Sequence, residues 1–397
     1  MELSKRAKNI SASLTLAISA KANKLKAAGE DVVSFGAGEP DFDTPEYICE
    51  AAREALEIGF TRYTSASGYE DLKKAVRDKF KRDNNLEYGT DQIIVSNGAK
   101  HSLFNTFQAI LNPGDEVIIP VPYWLTYPET VKMGGGTPVY LETKEEEDFK
   151  INIDKFKNMI NENTKALILN SPSNPTGSIY NKEELEEIAA VAVENEIIVV
   201  ADEIYEKIVY DDNEHISIAS LNDKIKDLTV VINGVSKSYA MTGWRIGYAA
   251  GPKKIIEIMS NIQSHATSNP NSIAQYASNT GLRGDHSFME ERRKKFEERR
   301  DYMYDKINSI DGLSCLKPGG AFYIMMNIEN IIGKKIKNQK IKDSFSFADN
   351  LLDEKLVAVV PGVAFGADNF IRLSYANSLE NIKKGLNRVE EFVAELD

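Results

Sequence analysis

Short apolar runs alternate with longer segments of helical spacing over the first two thirds of the chain. Seven of these runs predict strands, at Gln92–Ser96, Glu116–Pro120, Pro138–Leu141, Ala166–Asn170, Ile197–Ala201, Thr229–Ile232 and Ile246–Ala250. Several are apolar throughout, which is typical of strands covered by helices on both faces. Leu103–Leu111 and Lys182–Glu194 repeat apolar residues at helical spacing. The alternation predicts an α/β domain with a mostly parallel sheet over about residues 46–280.

The pattern changes after His286, where a long and highly charged segment predicts an amphipathic helix. Its expected buried residues are Phe288, Phe296, Tyr302 and Ile307. The charges between them indicate a solvated helix face. Strands predicted at Phe322–Met326 and Phe370–Tyr375, with a final helix from Leu379, complete a smaller α+β region. We expect residues 1–45 and 281–397 to form this second, discontinuous domain.

Composition narrows the possible functions. The 397 residues carry a net charge of −12, which argues against nucleic acid as a partner. No apolar run is long enough for a membrane span, and the first residues lack the apolar core of a signal peptide, so we expect a soluble, cytoplasmic protein. Cys49 and Cys315 lie far apart, and no two of the four histidines have ligand spacing, so no metal site is expected.

The segment TVVINGVSKSYAMTGWRIGYAAG places Lys237 just after a predicted strand, with Ser236 beside it and Arg245 eight residues further on. An amine that attacks aldehydes must be partly neutral, which burial and nearby cations promote. The hydroxyl of Ser236 and the planar fork of Arg245 suit a phosphate. An amine that reacts with aldehydes, next to a phosphate-binding group, is what pyridoxal 5'-phosphate (PLP) requires.

Further polar residues follow other predicted strands, and ligands gather at the carboxyl ends of parallel strands. Asp202 and Tyr205 follow one strand, in IIVVADEIYEKIVY. A buried carboxylate needs a partner, and a protonated pyridine nitrogen would serve, although Asp202 could equally cap the next helix. Asn170 and Asn174 follow a second strand, in a proline-rich loop that could also be a plain turn.

Two further segments add candidate cofactor contacts. Gly98 and Ala99 lie between a strand and a helix, where free backbone N–H groups can approach a phosphate. Trp124, in VPYWLTYPE, could stack on a pyridine ring, or it could be a core or hinge residue. A dinucleotide site is not indicated, because Asp41 occupies the place of the third glycine of GxGxxG after Gly36 and Gly38.

From Gly36 to Arg372 the chain resembles the class I, fold type I PLP-dependent aminotransferases nearly end to end. The segments that carry the resemblance are GAGEPDFDTP, RYTSASGYEDL, SNGAKHSLFN, PYWLTYPE, NSPSNPTG, ADEIY, VSKSYAMTGWRIGY, PGGAFY and IRLSYA. The resemblance implies a large PLP-binding domain with a mostly parallel seven-stranded sheet and a smaller α+β domain. It also implies a ping-pong transfer of an amino group to a 2-oxo acid, and a homodimer with shared active sites.

The resemblance also implies residue roles. Lys237 would bind the cofactor aldehyde and move protons, and Arg372, with the backbone of Gly38, would bind the substrate α-carboxylate. The residues implied for the cofactor ring are Asp202, Tyr205, Asn174 and Trp124, of which Trp124 and Asn174 would also contact substrate. The residues implied for the phosphate are Gly98, Ala99, Ser236, Arg245 and, from the neighbouring subunit, Tyr63.

Substrate preference depends on a second cation. Asn261–Gln275 lacks the arginine with which one branch of the family binds a side-chain carboxylate. Lys100 instead matches a lysine of the bacterial aspartate aminotransferase branch, and Ser13 matches that branch's substrate-lining segment. The resemblance therefore implies transfer from aspartate to 2-oxoglutarate, unless Lys100 is only a solvated lysine at a helix start. Alanine, aromatic amino acids or prephenate as substrates, and cysteine-conjugate β-elimination, are the alternatives.

Overall fold

The computed structural model describes residues 4–11 and 14–397. Its α-helices are α1 Lys5–Lys8, α2 Leu14–Ala27, α3 Glu46–Glu57, α4 Glu70–Asn84, α5 Ala99–Ile110, α6 Thr126–Met133, α7 Ile153–Met159, α8 Lys182–Glu194, α9 Asp223–Lys226, α10 Lys253–Ala266, α11 Ser272–Arg283, α12 Ser287–Asn308, α13 Ser344–Lys355 and α14 Leu379–Ala394. Its strands are β1 Val33–Ser34, β2 Ile93–Ser96, β3 Glu116–Val121, β4 Thr137–Glu142, β5 Thr164–Asn170, β6 Ile198–Asp202, β7 Thr229–Gly234, β8 Gly247–Ala250, β9 Ser314–Cys315, β10 Tyr323–Asn327, β11 Lys335–Ile336, β12 Gln339–Lys340, β13 Val357–Ala358, β14 Val360–Pro361 and β15 Phe370–Ser374.

The seven predicted strands of the first region form one sheet in the order β2-β8-β7-β6-β5-β3-β4. Strand β8 runs antiparallel to both of its neighbours, and the other pairs are parallel. Strands β2, β7 and β8 are buried at every position, because helices pack on both faces of the sheet. The predicted α/β fold with a mostly parallel seven-stranded sheet is confirmed.

The strand register brings the ends of several strands to one edge of the sheet. Asn170, the last residue of β5, pairs with Asp202, the last residue of β6. Because β8 is antiparallel, its first residue, Gly247, pairs with Ser96 and Gly234, the last residues of β2 and β7. The loops that carry the candidate residues after β2, β5, β6 and β7, and before β8, therefore converge at this edge.

A second sheet, with the order β14-β15-β10-β9, lies in the C-terminal region. Its strands pack with α12, α13 and α14 around an apolar cluster that also includes Phe35, Ile204 and Tyr205. Ile204 and Tyr205 follow β6 of the large sheet, so the edge that bears the candidate residues is packed against the second region. The candidate residues thus lie where the two regions meet.

Helix α12 differs from its predicted packing. The prediction that Phe296 and Ile307 are buried is correct, but Phe288 and Tyr302 are only partly buried. Arg300 is fully buried instead, and its guanidinium donates to Asp211 at 2.7 Å. Burial of a charge is tolerated here because carboxylates and a carbonyl accept its hydrogen bonds. The charged segment is therefore not simply a solvated face.

Among the described residues, no helix is both long enough and apolar enough to cross a membrane.

Candidate active site

A cavity of about 860 Å³ opens at the convergent edge of the large sheet. Most of the residues that the sequence singled out line it, although they come from segments far apart in the chain. The predicted residues in its lining are Gly38, Ala99, Lys100, Trp124, Asn170, Asn174, Asp202, Tyr205, Ser236, Lys237, Arg245 and Arg372. A concave site with few convergent polar groups is the usual form of a small-molecule site.

Lys237 lies in the turn after β7, with its amine in the cavity. The amine donates a hydrogen bond to the backbone carbonyl of Gly38 and lies 5.7 Å from the centroid of the Tyr205 ring. Burial lowers the pKa of Lys237 to about 8; the charge of Glu39 opposes this change and that of Arg372 adds to it. A substantial fraction of this amine is therefore neutral near pH 8, as nucleophilic attack on an aldehyde requires.

Asp202 ends β6 with a buried carboxyl group. Its Oδ2 accepts a hydrogen bond from the Tyr127 hydroxyl at 2.8 Å, and its Oδ1 accepts one from the backbone N–H of Ile204 at 3.3 Å. Burial raises the pKa of Asp202 to about 6, against the opposing effect of these two hydrogen bonds. A buried carboxylate that faces a cavity fits a cationic N–H group on a ligand. The helix-capping interpretation is wrong, because the residues after Asp202 form a turn and no α-helix begins between β6 and α9 in this described part of the chain.

The start of α5 and the Arg245 side chain form one end of the cavity. Gly98 precedes α5 with a φ of 86°, and a Cβ atom there would lie 2.3 Å from Nη2 of Arg245. Only glycine therefore allows the guanidinium to lie against the helix start. Arg245 donates to the carbonyl of Thr242 at 2.7 Å, and Ser236 lies buried nearby in the lining. A helix N-terminus, an arginine and a hydroxyl together suit a phosphate group.

Arg372 lies in β15 and is buried, with Ile371 and Leu373 in the apolar core, as strand alternation predicts. Its Nη1 donates to Oδ1 of Asn174 at 3.1 Å, and its Nη2 donates to the carbonyl of Gly36 at 3.1 Å. Its buried Nε has no hydrogen-bond partner in the described part of the chain. A guanidinium with a free donor that lines the cavity suits a carboxylate ligand.

Two side chains fix the loops around Asp202. The Tyr205 hydroxyl is 2.9 Å from that of Tyr323, and burial raises the pKa of Tyr205 well above its usual value, so this hydroxyl stays protonated at neutral pH. The Asn170 amide donates to the carbonyl of Asp202 at 2.8 Å, and its oxygen accepts from the backbone N–H of Asn174 at 2.8 Å. Asn170 therefore holds the two predicted loops together.

Trp124 and Lys100 form another wall of the cavity. The Trp124 ring packs against the core at the start of α6 and also lines the cavity, so the core and site interpretations both apply to it. The ammonium of Lys100, the second residue of α5, is 4.9 Å from the centroid of that ring. Desolvation by the surrounding walls lowers the pKa of Lys100, and the charge of Arg245 lowers it further. This ammonium is available to an anion in the cavity.

Gly98 and Tyr63 are not among the residues that line the cavity. Tyr63 is 90% exposed and lies in the segment before α4. Ser13 lies outside the described residues.

The sequence alone does not indicate roles for Tyr127, Tyr323 or Thr242. The first two lie in PYWLTYPE and PGGAFY, which carry part of the family resemblance, but neither tyrosine has a local pattern that indicates its partner. Their contacts join segments 75 and 118 residues apart. Thr242 lies between Lys237 and Arg245, and its place in that loop was the one signal that could have drawn attention to it.

Comparison with known proteins gives consistent matches over the whole chain. Residues 30–389 match the family model described as aminotransferase class I and II. The aspartate aminotransferase of Bacillus subtilis (strain 168) is 51% identical over 393 residues, which cover 99% of each chain. The crystal structure of the aspartate aminotransferase from Rhizobium meliloti has a TM-score of 0.97 at 42% identity, with complete coverage of both chains. The aspartate aminotransferase from Thermus thermophilus with maleate has a TM-score of 0.93 at 43% identity, covering 98% of this chain and 99% of the other.

Proposed function

The chain belongs to the class I and II aminotransferases, and from this premise we propose that it transfers the amino group of aspartate to 2-oxoglutarate. The observation that carries the proposal is the presence of two cations, Arg372 and Lys100, in the same cavity as the Lys237 amine. A dicarboxylic amino acid needs one cation for each carboxylate. Relatives similar over their full length are named aspartate aminotransferases, and the Thermus thermophilus structure is one with maleate, which is itself a dicarboxylate.

The enzyme is PLP-dependent, as its family is, and the residues of the cavity fit the cofactor. Lys237 offers an amine of lowered pKa, Asp202 an acceptor for a protonated ring nitrogen, and Arg245 a phosphate contact. When bound, PLP supplies an aldehyde for the amino group and a cationic ring that withdraws electrons from the substrate Cα.

Lys237 is the residue to which we assign proton transfer. In the proposal its amine would bind the aldehyde group of PLP, and when free it would accept the proton from the substrate Cα and later donate it again. An efficient general base has a pKa near the operating pH, and burial brings the pKa of Lys237 to about 8. The hydrogen bond to the Gly38 carbonyl orients the amine in the absence of a substrate.

The remaining cofactor contacts position the ring. In the proposal Asp202 pairs with the ring nitrogen, while Tyr205 and Asn174 donate to the phenolic oxygen and Trp124 stacks on the ring. The phosphate is held by Ser236, Arg245 and the backbone at Gly98 and Ala99. Two observations support this assignment. Tyr127 and Asn170 donate hydrogen bonds to Asp202, and the Asn170 side chain also accepts one from the backbone of Asn174, which fixes that loop in place.

Substrate recognition is assigned to Arg372 and Lys100, which both line the cavity. Arg372 binds the α-carboxylate, for which it would exchange its hydrogen bonds with Asn174 and Gly36, and the backbone of Gly38 assists. Lys100 binds the side-chain carboxylate, with Ser13 as a further contact. The exposed position of Lys100 in the cavity wall supports this assignment, because a cation at a helix start is mildly unfavourable unless an anion binds.

We also propose two domains and a homodimer. The large domain comprises residues 46–280, and the small one residues 1–45 and 281–397. The support for the dimer is Tyr63, whose aromatic ring is exposed in this single chain and would reach the phosphate in the neighbouring subunit. A cytoplasmic location stays a prediction from the sequence.

Lys100→Ala tests the assignment to aspartate. A hydrogen bond to a charged group contributes about 1.5–3 kcal/mol, so kcat/KM for aspartate is expected to fall roughly 10- to 150-fold. The value for alanine should stay unchanged, because alanine has no side-chain carboxylate. Steady-state assays with both amino donors measure the difference. Lys26→Ala, which removes another lysine of the cavity lining, is the matched control. Equal losses for the two donors, or no loss for aspartate, would refute the assignment.

A further inference from the structure

The four-residue segment Gly36–Glu39 is linked by hydrogen bonds, directly or through Thr242, to three of the cations that line the cavity. The Gly36 carbonyl accepts a hydrogen bond from Arg372 at 3.1 Å, and the Gly38 carbonyl accepts one from Lys237. A carboxylate oxygen of Glu39 accepts a hydrogen bond from the Thr242 hydroxyl at 2.8 Å. The carbonyl of Thr242 in turn accepts from Arg245 at 2.7 Å. Hydrogen bonds therefore connect one short segment to Arg372, to Lys237 and, through Thr242, to Arg245.

Glu39 has no assigned function in the proposed reaction, yet it lines the cavity. Among the described residues of that lining, the acidic ones are Asp202 and Glu39. Asp202 is committed to the ring nitrogen, which leaves Glu39 as the acidic side chain without a ligand. Its carboxylate is exposed, adjoins the residue whose carbonyl holds the Lys237 amine, and is fixed by Thr242 on the loop between Lys237 and Arg245.

We propose that Glu39 is a positioning residue for Lys237: its hydrogen bond to Thr242 holds in place the Gly36–Glu39 segment, whose Gly38 carbonyl orients the Lys237 amine. The inference rests on the proposed function, since it concerns the amine that captures PLP. The inference adds Glu39 as a residue that influences the neutral fraction of the Lys237 amine in the cofactor-free protein.

The charges around Lys237 support this assignment. Burial lowers the pKa of Lys237, and the positive charges of Arg372, from β15, and Arg245, from the loop before β8, lower it further. Glu39, before α3, and Asp202, at the end of β6, act in the opposite direction, and Glu39 has the larger effect of the two. An opposite charge close to an amine favours its charged form. Removal of the Glu39 charge therefore moves the titration of Lys237 to lower pH.

Glu39→Gln in the apoenzyme provides the test. The rate of PLP capture is followed by absorbance from about pH 6 to about pH 10 for the wild type and the variant, a range that spans the titration of a lysine of lowered pKa. Wild-type capture is expected to rise with pH around a midpoint of about 8, as Lys237 loses its proton. Because glutamine keeps the size and a hydrogen-bond acceptor but removes the charge, the midpoint of the variant is expected about 0.5 to 1 pH unit lower.

Two further variants separate charge from position. Asp41→Asn removes a carboxylate two residues from Glu39, but one that pairs with Arg299 at 2.8 Å, and its midpoint should equal that of the wild type. Thr242→Val keeps the Glu39 charge and removes the hydroxyl that holds it, so the maximal capture rate is expected to fall about threefold to tenfold.

The outcomes distinguish this inference from the function on which it rests. An unchanged midpoint in Glu39→Gln, or an equal shift in Asp41→Asn, would overturn the charge effect. A wild-type capture rate in Thr242→Val would overturn the positioning effect. A wild-type apoenzyme that captures no PLP at any pH would instead contradict the proposed function itself. Matching circular dichroism spectra for all variants exclude misfolding as the cause.

Discussion

Replacement of Lys237 by alanine is expected to abolish transamination. The variant loses both the amine that holds the cofactor and the base that moves the Cα proton. General acid–base catalysis alone contributes about 10²- to 10⁴-fold, so a loss of at least about 10⁴-fold in kcat is expected for the two functions together. Lys237 is also the amine whose pKa burial lowers to about 8, and alanine offers no substitute.

Stopped-flow and steady-state assays with aspartate and 2-oxoglutarate measure this loss. Lys26→Ala is a suitable control, because it removes another lysine of the same cavity lining and should keep its turnover. The phosphate contacts remain intact in Lys237→Ala, so this variant should still bind PLP, without a covalent bond. Near-normal transamination by Lys237→Ala would show that another group performs the proton transfer.

Asp202→Asn is expected to have the second largest effect. The carboxylate is buried, and in the proposal it is the partner of the cationic ring nitrogen. Removal of one partner of a buried ion pair costs about 3–5 kcal/mol, which corresponds to a decrease in kcat/KM of roughly 200- to 5,000-fold. Asparagine has a similar shape and can still accept a hydrogen bond from Tyr127, so the fold should tolerate the change.

The pH dependence of cofactor binding provides a second measurement on the same residue. Burial raises the pKa of Asp202 to about 6 in the cofactor-free protein, so its carboxylate is available above that pH and is lost as the pH falls below it. Wild-type PLP affinity should therefore decrease below a pH of about 6, and Asp202→Asn should lack this decrease. Tyr127→Phe, which keeps the carboxylate and removes one hydrogen bond, should reduce kcat/KM far less. A full effect in Tyr127→Phe and none in Asp202→Asn would contradict the assignment.

The large sheet, and the edge of it at which the site residues converge, could be predicted from the sequence. Strands buried on both faces have continuous apolar runs, and these runs end where the polar residues begin. Asp202 follows such a run directly, and Arg372 alternates with Ile371 and Leu373, so local patterns were sufficient to place both. Strand boundaries differ little from the predictions, as at β6, which begins at Ile198 rather than Ile197.

Contacts between distant segments could not be predicted in this way. The partner of Asp202 is Tyr127, which lies on helix α6, and the partner of Glu39 is Thr242, 203 residues away. The burial of Arg300 depends on Asp211, which belongs to a loop of the other region. In each case the residue type alone does not indicate the partner, since tyrosine, threonine and arginine are found on most protein surfaces. Tertiary packing determines which of them acquires a partner.

The proposed function requires that this cavity bind PLP on Lys237 and accept the amino group of aspartate. An absorbance spectrum of the purified protein, followed by titration with aspartate and separately with alanine, examines both requirements at once. We predict an absorbance band of the bound cofactor in the near-ultraviolet or visible range. Aspartate should convert the cofactor, and so change this band, at far lower concentrations than alanine does. Conversion by alanine or an aromatic amino acid instead would contradict the assignment of Lys100. The absence of a protein-bound cofactor band, after addition of PLP and removal of the unbound excess, would contradict the assignment of this cavity as the PLP site.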